Sequence, residues 1–233
     1  MRGVVVAMAA ATLVSCSHRA PGEILLFTGT GTSSGDVAAV ETLLDEMHLP
    51  FDTATSWQLN RKSEADLRGY KLLIVPGGNF IHMGESFNSA HVRGAVQNGL
   101  NYLGICAGAI LAGSNGFNLT GGTKFPFYDA VNRNIHKTNV TITSADGSSL
   151  DQYWEDGPQL SGWGSVVAKY PDGTPAVVQG ATGSGWVVLS GVHAEAPESW
   201  RRGMTFATPA SVDRAYAATL VRAALTRTAL ATF

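Results

Sequence analysis

Three segments of this sequence carry groups suited to nucleophilic chemistry, and each of those groups follows an apolar run. The first holds Cys106, in Tyr102-Leu103-Gly104-Ile105-Cys106-Ala107-Gly108-Ala109-Ile110-Leu111-Ala112-Gly113. An apolar strand runs into the Cys and an apolar helix starts at once. Gly104 and Gly108 leave the backbone room to turn sharply, which is the context of a nucleophile elbow. A thiol at a helix start gains from the helix field and from free N–H groups, and the Ala107 N–H is the expected donor to an oxyanion. Taken by itself the segment also reads as a strand-end Cys packed among Gly and Ala, since free Cys is often buried.

The second signal is Val188-Leu189-Ser190-Gly191-Val192-His193-Ala194-Glu195. An apolar strand ends at Gly191 and delivers a His and a Glu two positions apart. In an extended backbone both project to one face, so that Glu195 orients the imidazole of His193 and the other ring nitrogen faces the thiol. The third is Leu72-Leu73-Ile74-Val75-Pro76-Gly77-Gly78-Asn79, again a strand that ends in small residues. Its glycines let a peptide N–H point into a pocket, which makes the Gly78 N–H a second candidate oxyanion donor, although an ordinary strand-to-helix turn uses the same residues. All three ends fall where open α/β sheets gather their active sites, at the carboxyl edge.

The elements that must position these groups alternate between short apolar runs and longer amphipathic stretches, which is how a doubly wound, mostly parallel sheet appears in sequence. Strands are expected at Ile24 to Thr28, Phe51 to Thr55, Leu72 to Val75 and Tyr102 to Ile105. Val37 to Met47 and Val92 to Leu100 have helical spacing, with Ser34 or Asp36 as a cap for the first. After Gly113 the chain turns β-rich, with strands at Asn139 to Thr143 and Val166 to Tyr170 among Asp-Gly and Gly-rich turns, an insertion in the C-terminal half. Pro175 to Gln179 and Gly185 to Ser190 follow, and Val212 to Leu230 reads as a last helix whose arginines rule out a membrane span. The fold class is therefore α/β, flavodoxin-like.

Composition excludes several functions. With 45% hydrophobic and 15% charged residues, a chain of 233 can bury one sizeable core. A net charge of −2 offers nothing to a phosphate backbone, so no nucleic-acid partner is expected. The Arg201-Arg202 pair reads as solvated surface. Thr28 to Gly35 imitates a dinucleotide fingerprint, but its glycines are spaced Gly-x-Gly-x-x-x-Gly, so it reads as a pocket-edge loop and no cofactor is expected. His48, His82, His91 and His136 lack ligand spacing, so no metal is expected.

Arg2 followed by the apolar Val4 to Val14 has the layout of a secretory signal, and Leu13-Val14-Ser15-Cys16 resembles a lipobox. Residues 1–15 are expected to be a lipoprotein-type signal peptide, Cys16 the lipidated residue, 16–22 a tether and 23–233 a single domain; the alternatives are cleavage by an ordinary signal peptidase or an uncleaved anchor. The protein would then be exported and anchored to a bacterial membrane by lipid alone. With Cys16 so used, Cys106 has no partner for a disulfide.

Pro-Gly-Gly, then Gly-Ile-Cys-Ala-Gly, then His-x-Glu, in this order, resembles the class I glutamine amidotransferase-like superfamily. Within it the chain is most similar to the group named after the amino-terminal domain of biotin-protein ligase, whose aromatic-Gly-Pro segment is matched by Tyr153-Trp154-Glu155-Asp156-Gly157-Pro158. The resemblance implies Cys106 as nucleophile, His193 as base, Glu195 as its orienter, and Gly78 with Ala107 as the oxyanion hole. Asn79, Tyr153, Trp154 and Gly157 are expected in the substrate pocket. Two departures matter. Amidotransferases usually follow the nucleophile with Gly-x-Gln, whereas here Ala109 follows Gly108, so the resemblance does not extend to the grip on free glutamine. The usual His-Pro-Glu is here His193-Ala194-Glu195. The expected activity is a thiol-dependent hydrolase or amidotransferase-like reaction on a small amide, peptide or ester. The alternative is a lipoprotein that keeps the pocket and binds a ligand without turning it over.

Overall fold

The structure, a computed structural model, describes residues 22–128 and 134–233. The signal peptide, Cys16 and all but the last residue of the tether lie outside the described residues.

In chain order the elements are β1 (Ile24–Phe27), α1 (Ser34–Glu46), β2 (Phe51–Ala54), α2 (Ser56–Arg61), α3 (Glu64–Leu67), β3 (Leu72–Val75), α4 (Phe80–Glu85) and α5 (Ser89–Gln97). Then come β4 (Asn101–Ile105), α6 (Ala107–Ala112), β5 (Lys137–Ser144), β6 (Ser149–Glu155), β7 (Ser165–Lys169), β8 (Pro175–Thr182), β9 (Gly185–Ser190) and α7 (Ala210–Thr226). The nine strands among the described residues form one sheet in the order β2-β1-β3-β4-β9-β8-β7-β5-β6. The pairs from β2 through β9 are parallel and those from β9 through β6 antiparallel. The β-rich insertion is thus a continuation of the same sheet.

Both faces of the parallel half are covered, which explains its unbroken apolar runs. Residues of β1 alternate between two cores. Ile24 and Leu26 pack with Val40, Leu43 and Leu44 of α1 and with Leu220 and Val221 of α7. Leu25 and Phe27 pack with Leu59, Leu67, Val92 and Ala95 on the other face. Because β1, β3, β4 and β9 run in one direction, their carboxyl ends share one edge. The chain passes from β1 outward to β2 and then returns to β3 on the other side, so the crevice opens at the switch point between β1 and β3.

The antiparallel half returns to that edge. Tyr153, near the end of β6, bridges to His193 beyond β9, and the His193 N–H donates to the Tyr153 carbonyl at 2.9 Å. Strand β6 has no counterpart among the strands expected from sequence. Helix α7 ends at Thr226, earlier than expected, because Arg227 takes a left-handed conformation at φ 58° and donates its Nε to Asn101 Oδ1 at 2.9 Å. No described helix is long and apolar enough to cross a membrane. Arg201 corrects another expectation. Only 5% exposed, it lies over the Phe206 ring at 3.9 Å and faces Asp213 at 3.5 Å. Arg202 does stay exposed.

Candidate active site

Cys106 follows β4 directly and caps α6 with φ 51° and ψ −108°. A side chain at positive φ is costly, by about 1–3 kcal/mol, and such strain persists where packing over-determines it. Here the packing is evident. A Cβ added to Gly108 would sit 1.9 Å from the Val75 carbonyl oxygen, so α6 can lie on the end of β3 only because Gly108 has no side chain. The sharp turn expected at this Cys is therefore present, and it points the sulfur into a cleft of about 890 Å³. The thiol donates to the Glu155 carbonyl oxygen at 3.4 Å.

His193 is 4% exposed, and its Nδ1 lies 2.9 Å from Glu195 Oε1. The two meet by a different route from the one expected. The segment is a turn rather than an extended strand, with the Ala196 N–H donating to the His193 carbonyl at 3.2 Å. A second carboxylate lies on the same nitrogen, Asp36 Oδ1 at 3.1 Å. Nδ1 is thus occupied, and Nε2 is the nitrogen left for the thiol. Burial by itself would depress the imidazole's pKa. The nearby sulfur of Cys106, the Glu195 carboxylate and the Asp36 carboxylate outweigh it and raise the pKa well above 6.5. For Asp36 burial opposes ionisation, yet His193 and Ser33 hold the carboxyl below its ordinary 3.8.

In sequence Asp36 reads only as a helix cap. Ser33 caps α1 instead, its hydroxyl accepting from the Asp36 N–H at 3.3 Å, which leaves the Asp36 side chain free to turn inward. Gly77 explains how Asp36 and the ring come so close. A Cβ there would lie 2.1 Å from Asp36 Oδ1 and 2.8 Å from His193 Cε1. Asp36, His193 and Glu195 are also the described group whose ligand atoms, all within 4.8 Å of one another, could hold a metal ion. Their mutual distances of 2.9 and 3.1 Å equally suit hydrogen bonds.

Gly78, at φ 148°, faces the same cleft. The bridge between Thr32 and Gly78 is made by the N–H groups of Ser33 and Asn79, so the Gly78 N–H takes no part in it. The Ala107 N–H is in the first turn of α6, where no intrahelical acceptor exists. Both backbone donors therefore border the sulfur's cleft. Of the expected pocket residues, Asn79 and Tyr153 line it, but Trp154 and Gly157 do not. Alternation along β6 turns Trp154 into the core, where its Nε1 donates to the Gly157 carbonyl at 3.3 Å. Gly157 itself packs under Gly191, whose oxygen would be 1.9 Å from an added Cβ. The rest of the wall includes Phe80, Ile81, Ile110, Phe127 and Trp200, with Lys137, Arg202, Glu155 and Asp156 supplying charges of both signs. Gly31, Ser33 and Gly35 put the Gly-rich loop at the pocket edge, as expected.

The doubly wound sheet that carries the elbow Cys and the His-carboxylate pair at its carboxyl edge is similar in fold to glutamine amidotransferase-like structures. Solved structures agree on the fold. A crystal structure of a glutamine amidotransferase superposes with a TM-score of 0.59 at 19% identity, covering 75% of this chain and 91% of its own. SMU.1228c gives 0.56 at 13% identity over 87% and 99% of the two chains. A protein from Thermoplasma acidophilum described as a GMP synthase component gives 0.54 at 12% identity over 85% and 95%. More narrowly, residues 22–125 match the family model described as biotin-protein ligase, N terminal. No curated protein matches the chain in sequence. The expected resemblance thus holds for the fold over most of the chain, and for the biotin-protein ligase family model over residues 22–125, which include the Pro-Gly-Gly and Gly-Ile-Cys-Ala-Gly segments.

Proposed function

We propose that the protein is a thiol-dependent acyl-transfer enzyme, a hydrolase or amidotransferase-like catalyst, acting on a small amide, peptide or ester. The observation that carries this reading is the strained elbow that aims Cys106 into a cleft beside a buried, carboxylate-bound imidazole. The Cys106 thiol passes its proton to His193 Nε2 as sulfur attacks the substrate carbonyl carbon. The resulting oxyanion takes hydrogen bonds from the Gly78 and Ala107 N–H groups. His193 then gives the proton to the departing amine or alkoxide, leaving a thioester on Cys106. Water attacks the thioester with His193 as base, the acid departs and the thiol is restored. Ile110 and Ala109 supply no polar grip for a glutamine side chain, so the favoured substrates carry an apolar portion toward Phe80, Ile81 and Phe127.

The test is a panel of amides, peptides and activated esters followed by intact-protein mass spectrometry. An acyl adduct that maps to Cys106, is released by hydroxylamine and is absent in Cys106→Ala supports the proposal. Unmodified protein across the panel contradicts it. We also propose export with lipidation at Cys16, on the lipobox-like junction. Fatty-acid labelling of a bacterial host should mark the wild-type chain and not Cys16→Ala; equal labelling of both would refute it.

A further inference from the structure

We infer that Asp36 is a positioning residue for His193, sharing Nδ1 with Glu195, so that the imidazole has two carboxylate orienters from distant parts of the chain. The inference rests on the proposed acyl transfer for its catalytic consequence but not for its geometry. Asp36 is 7% exposed and its Oδ1 lies 3.1 Å from the ring nitrogen. That oxygen has no hydrogen-bond partner once the ring donates to Glu195 at 2.9 Å. A buried carboxylate oxygen left in this way is strongly unfavourable unless a cation faces it. The imidazolium that forms when His193 takes the Cys106 proton is that cation. Capping does not account for the residue, since Ser33 performs it. Gly77 keeps the space between Asp36 and the ring clear, because any side chain there would collide with both.

A single Nδ1–H between two acceptors can turn toward either with a small rocking of the ring. Each carboxylate then holds the productive tautomer when the other is lost. The titratable groups that face His193 are Asp36 from α1, Cys106 from the elbow between β4 and α6, Glu195 from its own turn, and Tyr153 from β6, with the Trp200 ring also against it. Of these, Asp36 and Glu195 are the carboxylates on Nδ1.

The test is a double-mutant cycle of Asp36→Asn and Glu195→Gln in the full chain, read in two ways. NMR titration of His193 follows the ring directly, and p-nitrophenyl acetate follows acyl transfer. We expect each single variant to lower the His193 titration midpoint and to slow acyl transfer about ten-fold, and the double variant to slow it about a thousand-fold or more, because loss of the orienting carboxylate leaves the wrong tautomer. An Asp36→Asn midpoint equal to wild type, or a double variant no slower than Glu195→Gln, overturns the inference. If wild type transfers no acyl group, the proposed function fails, and the titration alone decides on Asp36. Asp36→Ala provides a second reading of the midpoint should Asp36→Asn not fold. Dialysis against EDTA is the last arm: no change supports positioning, whereas a midpoint shift like that of Asp36→Asn means that the three groups hold a cation and overturns it.

Discussion

Replacing Gly77 by Ala tests the site's geometry through a residue with no functional group. The new methyl would lie 2.1 Å from Asp36 Oδ1 and 2.8 Å from His193 Cε1, whereas real Cβ contacts essentially never fall below 3.0 Å. Something must therefore move by about 0.9 Å. If Asp36 yields, its contact with Nδ1 stretches beyond hydrogen-bond reach. If the ring yields, it leaves Glu195, the sulfur or both. A displacement of about 1 Å in a catalytic group costs on the order of 100-fold in rate. Overpacking among buried neighbours adds about 1–3 kcal/mol of destabilisation, which for a chain of this size lowers Tm by roughly 3–10 °C. Hydrolysis of p-nitrophenyl acetate and a thermal melt measure the two effects. A variant with wild-type rate and wild-type Tm would show that Gly77 does not separate Asp36 from the ring, and the site as described would be wrong.

Other consequences follow from the same contacts. Gly108→Ala drives a Cβ to 1.9 Å from a backbone oxygen that cannot step aside, so it should destabilise the fold by about 3 kcal/mol in a urea melt. At Cys106, with φ 51°, Gly should be at least as stabilising as Ala, the reverse of the ordinary preference for Ala of about 0.5–1 kcal/mol; urea midpoints of Cys106→Gly and Cys106→Ala compare them. His193 has a raised pKa in the folded state, so the stability gained from its pairing is fully present below pH 6.5 and is lost as pH rises through the folded value. The Tm advantage of wild type over His193→Gln should accordingly shrink with rising pH above 6.5, and a constant difference across that alkaline range would contradict the pairing.

The parts of the structure that are legible in the sequence, and those that are not, follow a physical pattern. Strands β1, β3, β4 and β9 are buried on both faces, so each is a continuous apolar run bounded by small residues, and their ends mark the site. Strand β6 reads Ser-Leu-Asp-Gln-Tyr-Trp-Glu, and its polar members look like a loop. In the fold they are satisfied across long distances, Gln152 donating to Asp213 at 2.9 Å and Asp151 accepting from the Ala207 N–H at 2.8 Å. Trp154 is expected in the pocket as part of the aromatic-Gly-Pro segment, but alternation along β6 sends it and Tyr153 to opposite sides. Arg201 looks solvated because its acidic partner, Asp213, comes from a separate helix. Asp36 is the largest omission. An Asp at a helix start already has a local explanation, and nothing near it in the chain announces a histidine from the other end. The one available hint is Gly77, whose lack of a side chain is needed for a contact between two distant residues.

Everything proposed for this site depends on the buried imidazole acting on the Cys106 sulfur. The most direct measurement is the rate of Cys106 alkylation by iodoacetamide near neutral pH, mapped by peptide mass spectrometry, in wild type and in His193→Ala. The variant should react at least about ten-fold more slowly, because the sulfur has lost the base that accepts its proton. Equal rates in the two proteins would mean that ring and sulfur are neighbours without being partners.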